Sequence, residues 1–249
     1  MILPLNGFQY AGPVRIIFAV LISIFASAAK SQPLPEFKAH FDIWVMGFNI
    51  GEAEHKLSCQ QQDCELTSIA EPPGWVKRFI NESAVEKIKI QQSPTEFKWL
   101  AYKKFLTRRK SGDTINKTET LVRDLENNQI QYLEEQRAWP NPKQVYDVIS
   151  ITYGIQFLVV NGKPLTDLYL QDTKGQQKLK FSTLAKSEKI SLAFKGRAQT
   201  KRYDFHNDKI DAKLWLMPSL NHFPVRIIVF NKETDRKIEL ELNQKPKKP

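Results

Sequence analysis

Apolar and polar residues alternate along most of this chain, and that period restricts the architecture more than any other feature. Phe37, Ala39, Phe41 and Ile43 alternate with Lys38, His40 and Asp42. Near the other end, Ile210, Ala212, Leu214 and Leu216 alternate with Asp211, Lys213 and Trp215, and Ile238, Leu240 and Leu242 alternate with Glu239 and Glu241. A period of two belongs to a strand with one buried face. The same reading places strands at 52–58, 65–69, 83–91, 96–103, 115–124, 129–134, 167–172, 177–183, 187–194 and 198–206. Residues 225–230 are apolar on both faces. Asn207-Asp208, Pro218-Ser219 and Lys232-Glu233-Thr234-Asp235 supply turns. An antiparallel sheet of so many strands must curl, pack on a second sheet or close.

One segment has a different period. Pro140-Asn141-Pro142 stops whatever precedes it. Val148, Ile151, Ile155 and Leu158 then recur at helical spacing, with Asp147 as a candidate N-cap and Asn161-Gly162-Lys163-Pro164 as a stop. The expected fold is therefore mainly β. It is a strongly curved antiparallel sheet, a half-barrel or open barrel, wrapped around one central helix, as a single domain over residues 37–242. The basic tail, residues 243–249, is expected to be disordered.

The N-terminal residues bear on compartment. Arg15 precedes an apolar run from Ile16 to Phe25, and Ala26-Ser27-Ala28 follows. A charged residue, a short apolar run and an A-x-A site form a secretory signal. The run is short for a transmembrane helix, which needs about 20 apolar residues. The expectation is export to the periplasm with cleavage after Ala28; retention as an anchor is the alternative. The whole chain carries 37 Lys and Arg against 27 Asp and Glu, a net charge of +10. Only Arg15 of these lies in residues 1–28, so cleavage leaves +9. A basic exported protein meets anionic envelope components rather than nucleic acid. Cys59 and Cys64 are the two cysteines, and in an oxidising compartment so close a pair between two strand-like segments reads as a hairpin disulfide.

Three stretches carry a family resemblance. They are Phe41-x-x-Trp44-Val45-Met46-Gly47-Phe48-Asn49-Ile50-Gly51-Glu52-Ala53, then Tyr146-Asp147-Val148-Ile149-Ser150, then Leu214-Trp215-Leu216-Met217-Pro218 with Phe223-Pro224-Val225-Arg226-Ile227. In that order the chain resembles the exported bacterial family known as domain of unknown function 3108, over roughly residues 37–242. Asn49 and the cysteine pair depart from the family pattern. The resemblance implies an envelope protein with a curved antiparallel sheet, and it carries over no catalytic residue. Such an architecture is similar to the lipoprotein-carrier half-barrels that hold acyl chains, an analogy of fold.

No residue pattern calls for catalysis, a metal or a cofactor, and the chain reads as a non-enzyme. Ser150 has no nucleophile elbow around it and forms a capping pair with Asp147 more simply. His40, His55, His206 and His222 are scattered, although His40 and His55 fall where they would face each other across a first hairpin. The acidic pairs Glu134-Glu135 and Asp204 with Asp208 would serve a glycosidase only if a cleft brought them together. The leading expectation is a periplasmic binding protein whose curved sheet leaves apolar space the helix does not fill. Phe97, Trp99, Val148, Ile151, Ile155, Leu214 and Leu216 are its expected ligand lining. Lys103, Lys104, Arg108, Arg109 and Lys110 are expected to meet an anionic surface, and a second basic run covers Lys195, Arg197, Lys201 and Arg202. Pro72-Pro73-Gly74-Trp75, with Phe79 and Ile80, reads as a loop at the cavity mouth. The expected partner is a lipid or another anionic envelope component. The alternative is a scaffolding module that binds an envelope protein or peptidoglycan through its basic face.

Overall fold

The computed structural model describes residues 31–72, 82–110 and 113–249, the side chains of Glu82, Arg109, Lys110, Thr183 and Leu184 excepted. The signal segment and the Trp75–Phe79 loop lie outside the described residues. Among the described residues, sixteen strands and one α-helix follow in chain order. They begin with β1 (Phe37–Val45), β2 (Phe48–Gln60), β3 (Asp63–Glu71), β4 (Glu82–Gln92), β5 (Phe97–Lys110) and β6 (Asp113–Asp124). The short β7 (Gln129–Tyr132), β8 (Arg137–Pro140) and β9 (Gln144–Tyr146) lead into α1 (Ser150–Val160). After it come β10 (Leu168–Asp172), β11 (Gly175–Lys178), β12 (Lys180–Leu192), β13 (Gly196–His206), β14 (Ile210–Met217), β15 (Phe223–Asn231) and β16 (Arg236–Leu242).

Thirteen strands form one antiparallel sheet in the order β12-β13-β14-β15-β16-β1-β2-β3-β4-β5-β6-β7-β8. The sheet is not closed, since its two edges, β12 and β8, do not pair. Two meanders, one from each end of the chain, meet at the β1–β16 pair, where Phe41 lies opposite Leu242 and Val45 opposite Ile238. A three-stranded sheet, β11-β10-β9, lies apart, and its β9–β10 pair is parallel because α1 makes the crossover. The mainly β architecture with a curved open sheet and a single helix is the one the alternation predicts.

The alternation also sets the core. In β1, Phe37, Ala39 and Phe41 are buried while Lys38, His40 and Asp42 are half-exposed. The inward side chains of both meanders converge on α1, whose residues Ser150–Leu158 are all buried. A helix apolar on every side belongs inside a sheet that wraps it. Phe157 stacks on Phe97 with ring centroids 5.9 Å apart, and Tyr153 lies 4.8 Å from Phe37. Gly154 is where the helix comes closest to Tyr146: an added Cβ would stand 2.7 Å from that ring.

Four details differ from expectation. Strand β12 runs unbroken through residues 184–186 because Ala185 adopts φ +57° and shifts the register rather than ending the strand. Strands β8 and β9 are absent from the sequence reading, being short and set beside Pro140 and Pro142. The C-terminal tail is ordered in part, not disordered: Lys247 and Lys38 exchange backbone hydrogen bonds of 2.8 and 2.9 Å. Finally, His40 and His55 do not face each other. Ala39 stands opposite His55, so the two rings lie on opposite faces of the sheet.

The cysteines pair as expected. Cys59 and Cys64 are directly opposed on β2 and β3 and form a disulfide with Cα atoms 4.1 Å apart. Closing so short a loop stabilises by about 2 kcal/mol in the chain-entropy model. A Cys59→Ser, Cys64→Ser variant should therefore lose about that much stability in urea titration. A loss above ~5 kcal/mol would mean that the bond organises far more than its own hairpin.

Candidate functional site

The helix fills the middle of the concave face but not its end. A cavity of about 500 Å³ opens where α1 begins. Its floor is the entry turn of the helix, Asp147 to Ile151, with the β10–β11 hairpin beside it. One wall is apolar, made of Phe205, Ile210, Ile227, Val229 and Ile238 from β13 to β16. The facing wall is polar, with Glu86, Tyr102, Lys104 and Glu119 from β4 to β6. An apolar lining with a few convergent polar groups is the usual make-up of a ligand site, and the volume falls in the usual range. A groove of about 550 Å³ at the other end, under Pro246 and Lys247, is more open to solvent.

The polar wall follows from strand register. Glu86, Lys104 and Glu119 stand side by side across three strands, on the same face as buried Tyr102. The Tyr102 hydroxyl donates to Glu86 Oε1 at 2.6 Å, and Lys104 Nζ lies 3.9 Å from the same oxygen. Burial and the Glu86 charge push the Tyr102 phenol far up, so it stays protonated and donates.

The floor is held by Asp147. Its Oδ1 accepts backbone N–H groups of Ile149 and Ser150 at 2.8 and 3.0 Å. Its Oδ2 accepts Trp99 Nε1–H at 2.9 Å and the Ser150 hydroxyl at 2.6 Å. Ser150 Oγ accepts the Asp147 N–H in return, at 3.1 Å. The pair is thus a reciprocal helix cap, tied to the sheet through Trp99. Burial raises the Asp147 carboxyl, and the hydrogen bonds from Ser150 and Ile149 oppose that rise.

The expected lining residues separate into two groups. Phe97, Trp99, Ile155, Leu214 and Leu216 are fully packed core between sheet and helix. Ile151 and Val148 reach the cavity. Val148 is 47% exposed because the helix starts two residues after it and the Asp147 turn swings it outward. The apolar wall of β13–β16 is missing from the expected set. Its signal was present in the 225–230 run, which is apolar on both faces.

The expected basic surface is divided by strand alternation. Lys104 points into the cavity, whereas Lys103 lies on the opposite face with its Nζ 4.9 Å from the Phe105 ring. Arg108 has the same parity along β5 as Lys104 and stands opposite Ile115. Arg109 and Lys110 are the last two residues of β5. Of the second run, Arg202 donates to Glu188 Oε2 at 2.9 Å beside Trp215.

The acidic pairs also have local partners. Glu134 accepts from Thr120, Glu135 pairs with Arg137, and Arg202 donates to Asp204 at 3.1 Å. Among the described residues, no three His, Cys, Asp or Glu are grouped as a metal would need. No described helix is long and apolar enough to cross a membrane.

No family model matches the chain, and no curated protein matches it. A provisionally named lipoprotein from Parabacteroides distasonis has a solved structure that aligns over 86% of this chain and 96% of that one, at 10% identity and a TM-score of 0.30. So loose a likeness carries no functional argument. Three sequence stretches, 41–53, 146–150 and 214–227, lie close together in the fold. They build the β1–β2 hairpin, the Asp147 cap and the β14–β15 hairpin, all beside the helix or the central seam.

Proposed function

We propose that this is a non-enzymatic binding protein of the bacterial envelope, exported through its N-terminal signal, related to the domain of unknown function 3108 family. It holds an acyl chain or similar apolar group at the entrance to its curved sheet. The observation that carries this reading is the cavity of about 500 Å³ with the apolar side chains of Phe205, Ile210, Ile227, Val229 and Ile238 along β13–β16, rimmed by Asn207, Lys209, Asn231 and Glu233. The polar row of Glu86, Lys104 and Glu119 gives a ligand's head group donors and acceptors while its chain lies on Ile227 and Val229. The scaffolding alternative has less support, since Lys103 and Lys104 face opposite ways and do not make one basic face.

Native mass spectrometry of protein purified without detergent, with titration of a fluorescent fatty acid, tests the reading. Val229→Trp fills the cavity and should weaken uptake at least tenfold, which corresponds to about 1.4 kcal/mol. A Leu125→Trp control, remote from the cavity, should bind normally. Protein that flies without added mass and takes up no probe would refute the proposal.

A further inference from the structure

We propose that the cavity-bearing end of the sheet docks on a lipid bilayer, led by the turn between β1 and β2. The inference extends the acyl-binding reading, but the docking rests on separate side chains. Met46 is 56% exposed and Phe48 is 74% exposed, on either side of Gly47. Met46 and Gly47 both have positive φ, +51° and +87°, as a two-residue hairpin turn of type I′ requires. The turn is thus tight: Phe48 stands out in solvent, and Met46, more than half exposed, lies back along β16 with its Sδ 3.3 Å from the Lys237 backbone nitrogen.

These groups continue the cavity wall. Ile238 lines the cavity, Val45 stands opposite Ile238, and Phe48 stands opposite Val45. One cross-strand row therefore runs from the apolar wall to the tip. Val148 and Ile115 are exposed at the same end of the sheet, 47% and 52%. Two basic residues border the tip: Lys237, whose carbonyl accepts the Met46 N–H at 3.0 Å and whose Nζ pairs with Glu239 at 3.0 Å, and Arg236 just before it. Exposed apolar side chains beside cations suit a bilayer interface, where the first dip below the head groups and the second meet phosphates. Glu233 and Asp235 share the neighbouring turn, so apolar insertion outweighs charge in this contact.

Geometry selects the bilayer over a protein partner. A stable protein interface takes about 800 Å² from each side. A hairpin tip standing at the rim of a cavity offers a few protruding side chains instead, and interfacial insertion needs no more than that. A bilayer also gives an acyl ligand a route into the cavity that never crosses water.

The test places an environment-sensitive dye on the full-length protein through Phe48→Cys and, separately, Leu125→Cys in the β6–β7 turn at the other end. Vesicles of phosphatidylethanolamine and phosphatidylglycerol carry a chain-attached quencher. The dye at position 48 should be quenched and the dye at 125 should not. Met46→Ser with Phe48→Ser should lower vesicle partition about tenfold or more, from the lost apolar burial. No quenching at 48, or equal quenching at both sites, overturns the proposal. Shielding of the 48 dye without vesicles, together with sedimentation as a dimer, also overturns it and makes the tip a self-association face. Uptake of the fluorescent fatty acid in vesicle-free buffer is measured on the same variants. Normal uptake with lost partition isolates docking, whereas failure of uptake in unaltered protein counts against the cavity reading alone.

Discussion

Asp147→Ala should destabilise the protein by about 3–5 kcal/mol, the cost of leaving several buried donors without their acceptor. Four donors lose their acceptor at once: Trp99 Nε1–H, the Ser150 hydroxyl and the backbone N–H groups of Ile149 and Ser150. All lie in the buried interior or at its edge, where water cannot readily replace the carboxylate. For a domain of this size the melting temperature should fall by about 10 °C. Asp147→Asn should cost less, since its carbonyl still accepts from the backbone while its amide opposes the Trp99 donor. Urea unfolding of the three proteins checks the order. An alanine variant with an unchanged midpoint would mean that the cap does not anchor the helix to the sheet.

His55 should make the fold acid-sensitive. The ring is fully buried beside Phe41, with Nδ1 2.8 Å from the Tyr153 hydroxyl and no partner at Nε2 among the described residues. Burial lowers its pKa from 6.5 to about 4. Between those values the unfolded chain binds the proton and the folded protein does not, so stability falls as the solution is acidified. The contribution is whole above about pH 6.5, is reduced by about 2 kcal/mol at pH 5, and by about 3 kcal/mol near pH 4. His55→Gln, which keeps a partner for Tyr153 and cannot titrate, should remove most of the loss between pH 7.5 and 5. Equal losses in the two proteins would assign the acid sensitivity to other groups.

His55 also illustrates what sequence pattern reveals and what it conceals. It shares parity with Ala53 and Leu57 on β2, both buried, so its inward direction was readable from alternation. A lone histidine in a polar-looking segment invited the opposite reading. Strand direction and the helix were legible because each depends on local period. The basic cluster divides between two faces because Lys103 and Lys104 are adjacent in sequence and a strand sends adjacent residues to opposite faces. The cavity was legible only as an expectation of unfilled space. Its position depends on how far α1 extends along the concave face, and that is set by the contacts of Asp147 with Trp99 and of Gly154 with Tyr146, each pairing residues from separate elements.

The central seam has a consequence for how this molecule comes to be. Strand β1 is among the first parts of the domain to leave the ribosome, and its neighbour β16 is among the last. The pairing of Phe41 with Leu242, and of Asn243 with His40, joins positions about two hundred residues apart. Two half-sheets can each assemble from sequence-local hairpins, but the middle of the sheet stays unzipped until β16 has been made. Non-local pairings of this kind slow folding. A chain whose central pairing waits for its last strand stays open along that seam while the two half-sheets are already formed.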